Sequence, residues 1–157
     1  DYDTSGLVIL PLNKPALSHI SKQFQARVVR KQYTAIVNGI VRDDSGEIDL
    51  PIAKDAANPR CYKICQQTGK ASVTHYQVLS RDEKKQQSRL LLKPVTGRSH
   101  QLRLHMQAIG HVILGDEFYA PAEVVSASAR LLLHSHHIEF SHPNTQASLS
   151  FDCETPF

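Results

Sequence analysis

Apolar positions change period several times along this chain, and each change marks an element. Leu7-Val8-Ile9-Leu10 is a brief, branched apolar run closed by Pro11, which predicts a buried strand rather than a helix. Asn13 then caps a predicted helix over 14–26. Pro15 lies in its first turn, where a missing N–H costs nothing, and Leu17, Ile20 and Phe24 recur at intervals of three and four. One face of this helix should pack and its basic face should meet solvent. Residues 32–38 alternate through Tyr33, Ile36 and Val37 before Gly39, as a strand ending in a turn does. A short strand is expected over 46–52, stopped by Pro51, followed by an irregular loop over 53–69 with a brief strand near 62–65. Two strands, 71–80 and 89–94, flank the polar run 81–88 and read as a hairpin. In a helix over 99–109, Leu102, His105, Met106 and Ile109 share a stripe that Gly110 terminates. Arg103 lies about 100° from Leu102, on a flank that reaches a cleft edge. Val112-Ile113-Leu114, a short helix after Pro121 and strands over 131–140 and 147–151 complete the chain.

Many strands, few helices and no regular alternation of the two predict a mixed, mostly antiparallel α+β fold. At 157 residues the chain is expected to form one domain, 1–157, which buries roughly 70% of its unfolded surface. A hydrophobic content of 41% and a charged content of 21% place it among ordinary globular proteins rather than disordered ones. Net charge is only +3, so distribution matters more than the total. Lys14, Lys22, Arg27, Arg30 and Lys31 form one basic group, and Arg60, Lys63 and Lys70 another; each suits either a phosphate backbone or a solvated face. Cys61, Cys65 and Cys153 lack the spacing of a zinc site or a disulfide scaffold, so reduced thiols in a cytosolic protein are expected. No apolar run approaches the ~20 residues that cross a bilayer.

The chemistry concentrates in two places. Thr96-Gly97-Arg98-Ser99-His100 leads from a turn into a helix, where free amides, the helix dipole and the side chains of Arg98 and His100 favour an anion, unless Thr96 merely caps the helix. Asp1 and Asp3 precede Thr4-Ser5-Gly6, a turn able to present a carboxylate beside a strand end. A carboxylate held by arginine stays ionised and serves as nucleophile or base. Tyr33 is open to three roles: core, base stacking or proton exchange. His134 and His136 alternate with His137 along a strand and lack a completing Cys or Glu, so no metal site is expected.

Together these residues resemble the RluA-type pseudouridine synthases over nearly the whole chain. That family's catalytic motif is His-Arg-Leu-Asp, two variable residues, then Thr-Ser-Gly; Asp1-Tyr2-Asp3-Thr4-Ser5-Gly6 matches it from the aspartate onward, with Asp3 in a variable position. Lys31-Gln32-Tyr33-Thr34-Ala35 is similar to the second motif and Lys93 to His105 to the third, with Arg103 at its arginine. Gly110-His111 through Gly115-Asp116, with Val112 in place of the usual proline, and Arg130 to His134 follow in order. The wording of the third motif is closest to the branch that modifies both large-subunit ribosomal RNA and transfer RNA. Because the chain opens inside the first motif, upstream residues of the fold are expected. Without them activity should be poor, and an otherwise monomeric protein would expose a sheet edge able to recruit a second chain.

The resemblance implies the pseudouridine synthase fold and isomerisation of uridine in RNA without cofactor, metal or membrane. Asp1 attacks the ribose carbon or the base, or assists elimination. Arg103 holds Asp1, Tyr33 packs on the base and helps remove the C5 proton, and Arg98, His100, Lys31, Arg60 and Lys63 bind RNA. Two other readings are an inactive RNA-binding module of the same fold and a nucleoside-cleaving enzyme. The second commonly needs two carboxylates about the bond, and it would lower RNA mass where isomerisation does not.

Overall fold

The computed structural model describes residues 1–157. Its strands are β1 (Ser5–Gly6), β2 (Arg30–Asn38), β3 (Ser45–Asp49), β4 (Ile52–Lys54), β5 (Tyr62–Ile64), β6 (Val73–Asp82), β7 (Gln87–Pro94), β8 (Leu133–Ser141) and β9 (Ser148–Asp152). The helices are α1 (Lys14–Gln25), α2 (Gln101–Ala108) and α3 (Ala122–Ser126). A seven-stranded sheet runs β1-β8-β2-β7-β6-β3, with β9 also on β8, and β4 and β5 form a separate pair. Every pairing is antiparallel except β1 with β8. The expected mixed α+β architecture is thus the observed one. No helix is long and apolar enough to cross a membrane.

The core follows from two periodicities meeting. Ala35 and Val37 of β2 and Leu90 and Leu92 of β7 lie two apart, on one face of adjacent strands, and Leu102 and Met106 of α2 lie four apart. These side chains form one buried cluster with Val41, Ile48, Ile113, Leu131 and Leu133. Tyr33 continues the β2 row by one more alternation, where the core gives way to a pocket.

Two expectations fail. Residues 7–10 are not a strand: pairing with β8 stops at Gly6, after which only the Leu7 N–H donates to Ser135. Val8 and Leu10 are 74% and 73% exposed, so the apolar run has no sheet face to enter. Helix α1 forms where Asn13 and Pro15 place it, Asn13 Oδ1 accepting from Ala16 N at 2.9 Å. Its buried residues, however, are Ile20 and Gln23, while Leu17 and Phe24 stay exposed. Gln23 earns its burial by polar pairing, for its amide donates to the Ser141 carbonyl at 2.8 Å and accepts from Ser141 N at 2.8 Å.

Candidate active site

The turn before α2 is fastened from inside. Gln101 is buried; its Oε1 accepts from Thr96 Oγ1 at 2.7 Å and from Arg98 N at 3.0 Å, and its Nε2 donates to Val73 O and Thr74 Oγ1 at 2.9 and 3.0 Å. Thr96 Oγ1 in turn accepts from Val73 N at 3.0 Å. The amide dipole expected to receive an external anion is therefore partly occupied by the helix's own first side chain. Thr96 neither caps the helix by side chain nor stands free. The cations beside this turn are the side chains of Arg98 and Lys31.

A cavity of about 340 Å³ opens between this turn, the segment ahead of β1, β2 and α1, within the roughly 300–1,000 Å³ of small-ligand sites. Asp1, Tyr33, Lys31, Arg98 and His100 all line it, with Thr4, Phe24, Leu102 and Leu133. Tyr33 arrives where the β2–β8 register slips between Gln32 and Tyr33, an irregularity of the kind that re-aims side chains beside functional sites. Burial pushes its hydroxyl above the ordinary tyrosine range, and a hydrogen bond with Ser135 acts in the opposite sense. Lys31 Nζ donates to Thr96 O at 3.2 Å and lies 5.7 Å from the Phe24 ring centroid; burial pulls the ammonium below its ordinary range. Of the outlying basic residues, Lys63 pairs with Asp55 at 3.1 Å and Arg60 lies 5.2 Å from the centre of the Phe118 ring; neither lines the cavity.

Arg103 departs from the sequence expectation. It is 1% exposed and does not sit at the cleft edge beside Asp1; its Nε and Nη2 grip Asp116 at 2.8 and 2.6 Å in a bidentate fork. Its remaining nitrogen, Nη1, is 3.8 Å from Asp3, the residue assigned to a variable position. The reason is burial. A guanidinium enclosed by α2 needs a fully committed carboxylate, and Asp116, itself 1% exposed, supplies one from the Gly115-Asp116 turn. Asp1 instead meets His100, with Oδ1 3.8 Å from Nε2.

No site role was expected for Asp116, although it closes the Gly110–Asp116 motif, nor for Tyr62, Phe118 or Tyr119. Asp116 Oδ1 also accepts from Phe118 N and Tyr119 N at 3.0 and 3.1 Å, so one carboxylate fixes both aromatic residues. Gly-Asp followed by an aromatic pair was the available signal, since a buried arginine must find a carboxylate. The histidines of β8 serve the scaffold: His134 Nδ1 bonds Ser5 Oγ at 2.8 Å, His136 bonds Thr34 at 3.2 Å and His137 faces Asp152 at 2.7 Å.

Residues 1–108 match the family described as RNA pseudouridylate synthase. Over all 157 residues the chain is 46% identical to the dual-specificity RNA pseudouridine synthase RluA of Pasteurella multocida and covers 71% of it. Identity to the protein of the same name from Escherichia coli K12 is 41%, again over the whole chain and 71% of the relative. Among solved structures, human RNA pseudouridylate synthase domain containing 1 superposes with a TM-score of 0.88 at 30% identity, covering the whole chain and 67% of that protein.

Proposed function

Since the chain belongs to the RNA pseudouridylate synthase family, a family of isomerases, we propose that residues 1–157 act as one catalytic domain that converts uridine to pseudouridine in large-subunit ribosomal RNA, transfer RNA or both. The observation that carries this reading is the convergence of Asp1, Tyr33, Lys31 and Arg98 on one cavity. Target uridine leaves its stack at a cost of a few kcal/mol, least in a loop, and its base enters against Tyr33. Arg98 and Lys31 meet the flanking phosphates, which positions the strand without reading it. Asp1 then promotes cleavage of the bond between N1 and the ribose C1′, as nucleophile or as base. The uracil turns, C5 bonds to C1′, and the proton lost from C5 is balanced by one gained at N1. Tyr33 packs on the ring; because burial keeps its hydroxyl protonated, it helps remove the C5 proton only by releasing its own proton as it takes that one. The dual RNA range is supported by the relatives' shared name and full-chain identity.

The test is carbodiimide mapping of ribosomal and transfer RNA, each treated separately, with intact mass recorded beside it. Pseudouridine at unchanged mass is expected, with Asp1→Asn and Asp1→Ala losing the product while retaining RNA affinity. Loss of mass would identify base removal instead, and RNA binding without product from the parent would identify a binding module.

A further inference from the structure

Asp and Glu are absent from residues 4–42 and again from residues 84–115. Folding brings these two acid-free stretches together where the C-terminal end of α1 meets the turn before α2, and a second cavity of about 210 Å³ opens between them. It adjoins the active-site cavity and shares Phe24, Lys31 and Arg98 with it, while Arg27 lines the second cavity alone. None of Arg27, Lys31 and Arg98 pairs with a carboxylate. Basic groups gathered about one hollow without acids repel one another until an anion joins them.

Phe24 stands at the border of the two cavities. Helical spacing predicts that it packs, yet it is 41% exposed, and Lys31 Nζ lies over its ring at 5.7 Å from the centroid. Arg27 follows the end of α1 in a left-handed conformation, φ 59°, and its N–H donates to Phe24 O at 3.1 Å. Helix ends favour glycine at such a position, because a side chain there is strained. The residue kept in its place is a cation lining the cavity. A bare anion would engage the basic groups and leave the ring idle. A nucleotide engages both, since single-stranded nucleic acid is bound by stacking its bases on aromatic rings while cations follow its backbone.

We propose that the second cavity is a subsite for the nucleotide next to the target uridine, its base stacked on Phe24 and its phosphate held by Arg27, with Lys31 and Arg98 spanning the border to the active-site cavity. This rests on the function proposed above and deepens it, for a neighbour that stacks on protein must be free of its own base pair. The substrate is then a uridine whose flanking nucleotide is also single-stranded.

The probe is a hairpin RNA whose loop holds the uridine located by carbodiimide mapping, made intact and with an abasic residue immediately 5′ or 3′ of that uridine. Kd and Tm are measured for the parent, Phe24→Leu, Phe24→Tyr and Arg27→Gln. Stacking on an aromatic ring contributes about tenfold or more in affinity, so Phe24→Leu should weaken binding of intact RNA about tenfold and Phe24→Tyr should restore it to within about threefold. One abasic probe should bind the parent about tenfold more weakly than intact RNA, a comparison that no folding defect affects, and should bind parent and Phe24→Leu alike. Arg27→Gln should flatten the slope of log K against log salt by about 0.7, the value of one phosphate contact on a single strand. A parental Kd in Phe24→Leu, or an equal loss on all probes, would overturn the stacking and mark Phe24 as packing only. An unchanged salt slope in Arg27→Gln would overturn the phosphate contact. Either failure in a parent that makes pseudouridine leaves the isomerase reading intact; a parent that makes none in any RNA removes that reading and the subsite with it.

Discussion

Arg103 shows how far a single residue can be read from its neighbours in sequence. The third motif marks it as a functional cation on α2 and the resemblance gives it Asp1 as partner, yet nothing in the linear chain shows that Asp116 is the carboxylate it grips. Folding decides by enclosure. With both groups 1% exposed, Arg103 and Asp116 satisfy each other and leave Asp3 at 3.8 Å. Asp116→Ala is therefore expected to strand a buried guanidinium and cost about 3–5 kcal/mol of stability. Urea denaturation would measure it, and a cost under about 1 kcal/mol would mean that Asp3 or solvent replaces the lost carboxylate. His100 carries the same lesson: its residue type suggested a phosphate donor, and only the fold shows its ring stacked on Phe118 with Nδ1 bonded to Tyr119.

At the scale of elements, periodicity located β2, β6, β7, β8, α1 and α2 within a few residues, because each has an apolar face with a regular spacing. The opening segment failed for the opposite reason. Apolar content over 7–10 implied burial, but a strand needs a partner, and β8 offers parallel pairing only to Ser5 and Gly6 before β9 takes over its edge. That two-residue attachment anchors the Asp1 loop. A Cβ on Gly6, whose φ is +102°, would stand 2.2 Å from Ser135 O. Gly6→Ala should push β1 off β8 and lower turnover at least about tenfold, since the shift displaces the reacting carboxylate. Tm should change much less, because β1 contributes nothing to the main apolar cluster. Full turnover in this variant would show that β1 pairing does not set the position of Asp1.

For the whole molecule, burial of histidine gives stability a pH dependence. His100, His105 and His136 are all held below the ordinary histidine range, chiefly by burial. His105 is the clearest case: fully enclosed, it bonds Thr74 Oγ1 at 2.9 Å through Nδ1 and donates Nε2–H to Leu50 O at 3.1 Å, and burial outweighs the pull of that carbonyl toward the charged ring. Such groups bind fewer protons folded than unfolded. Their contribution is complete above about pH 6.5, the unfolded value, and is lost as pH falls through the lower folded values. The urea midpoint should accordingly fall between pH 7 and pH 5, and a flat or rising midpoint over that interval would contradict it. The sequence by itself determined the fold class, the family and most of the pocket's lining, because periodicity and motif order are properties of the linear chain. Tertiary structure alone decided which carboxylate Arg103 grips and that Gln101 fills its own helix start, because hydrogen-bond geometry and exclusion of water exist only once distant segments have met.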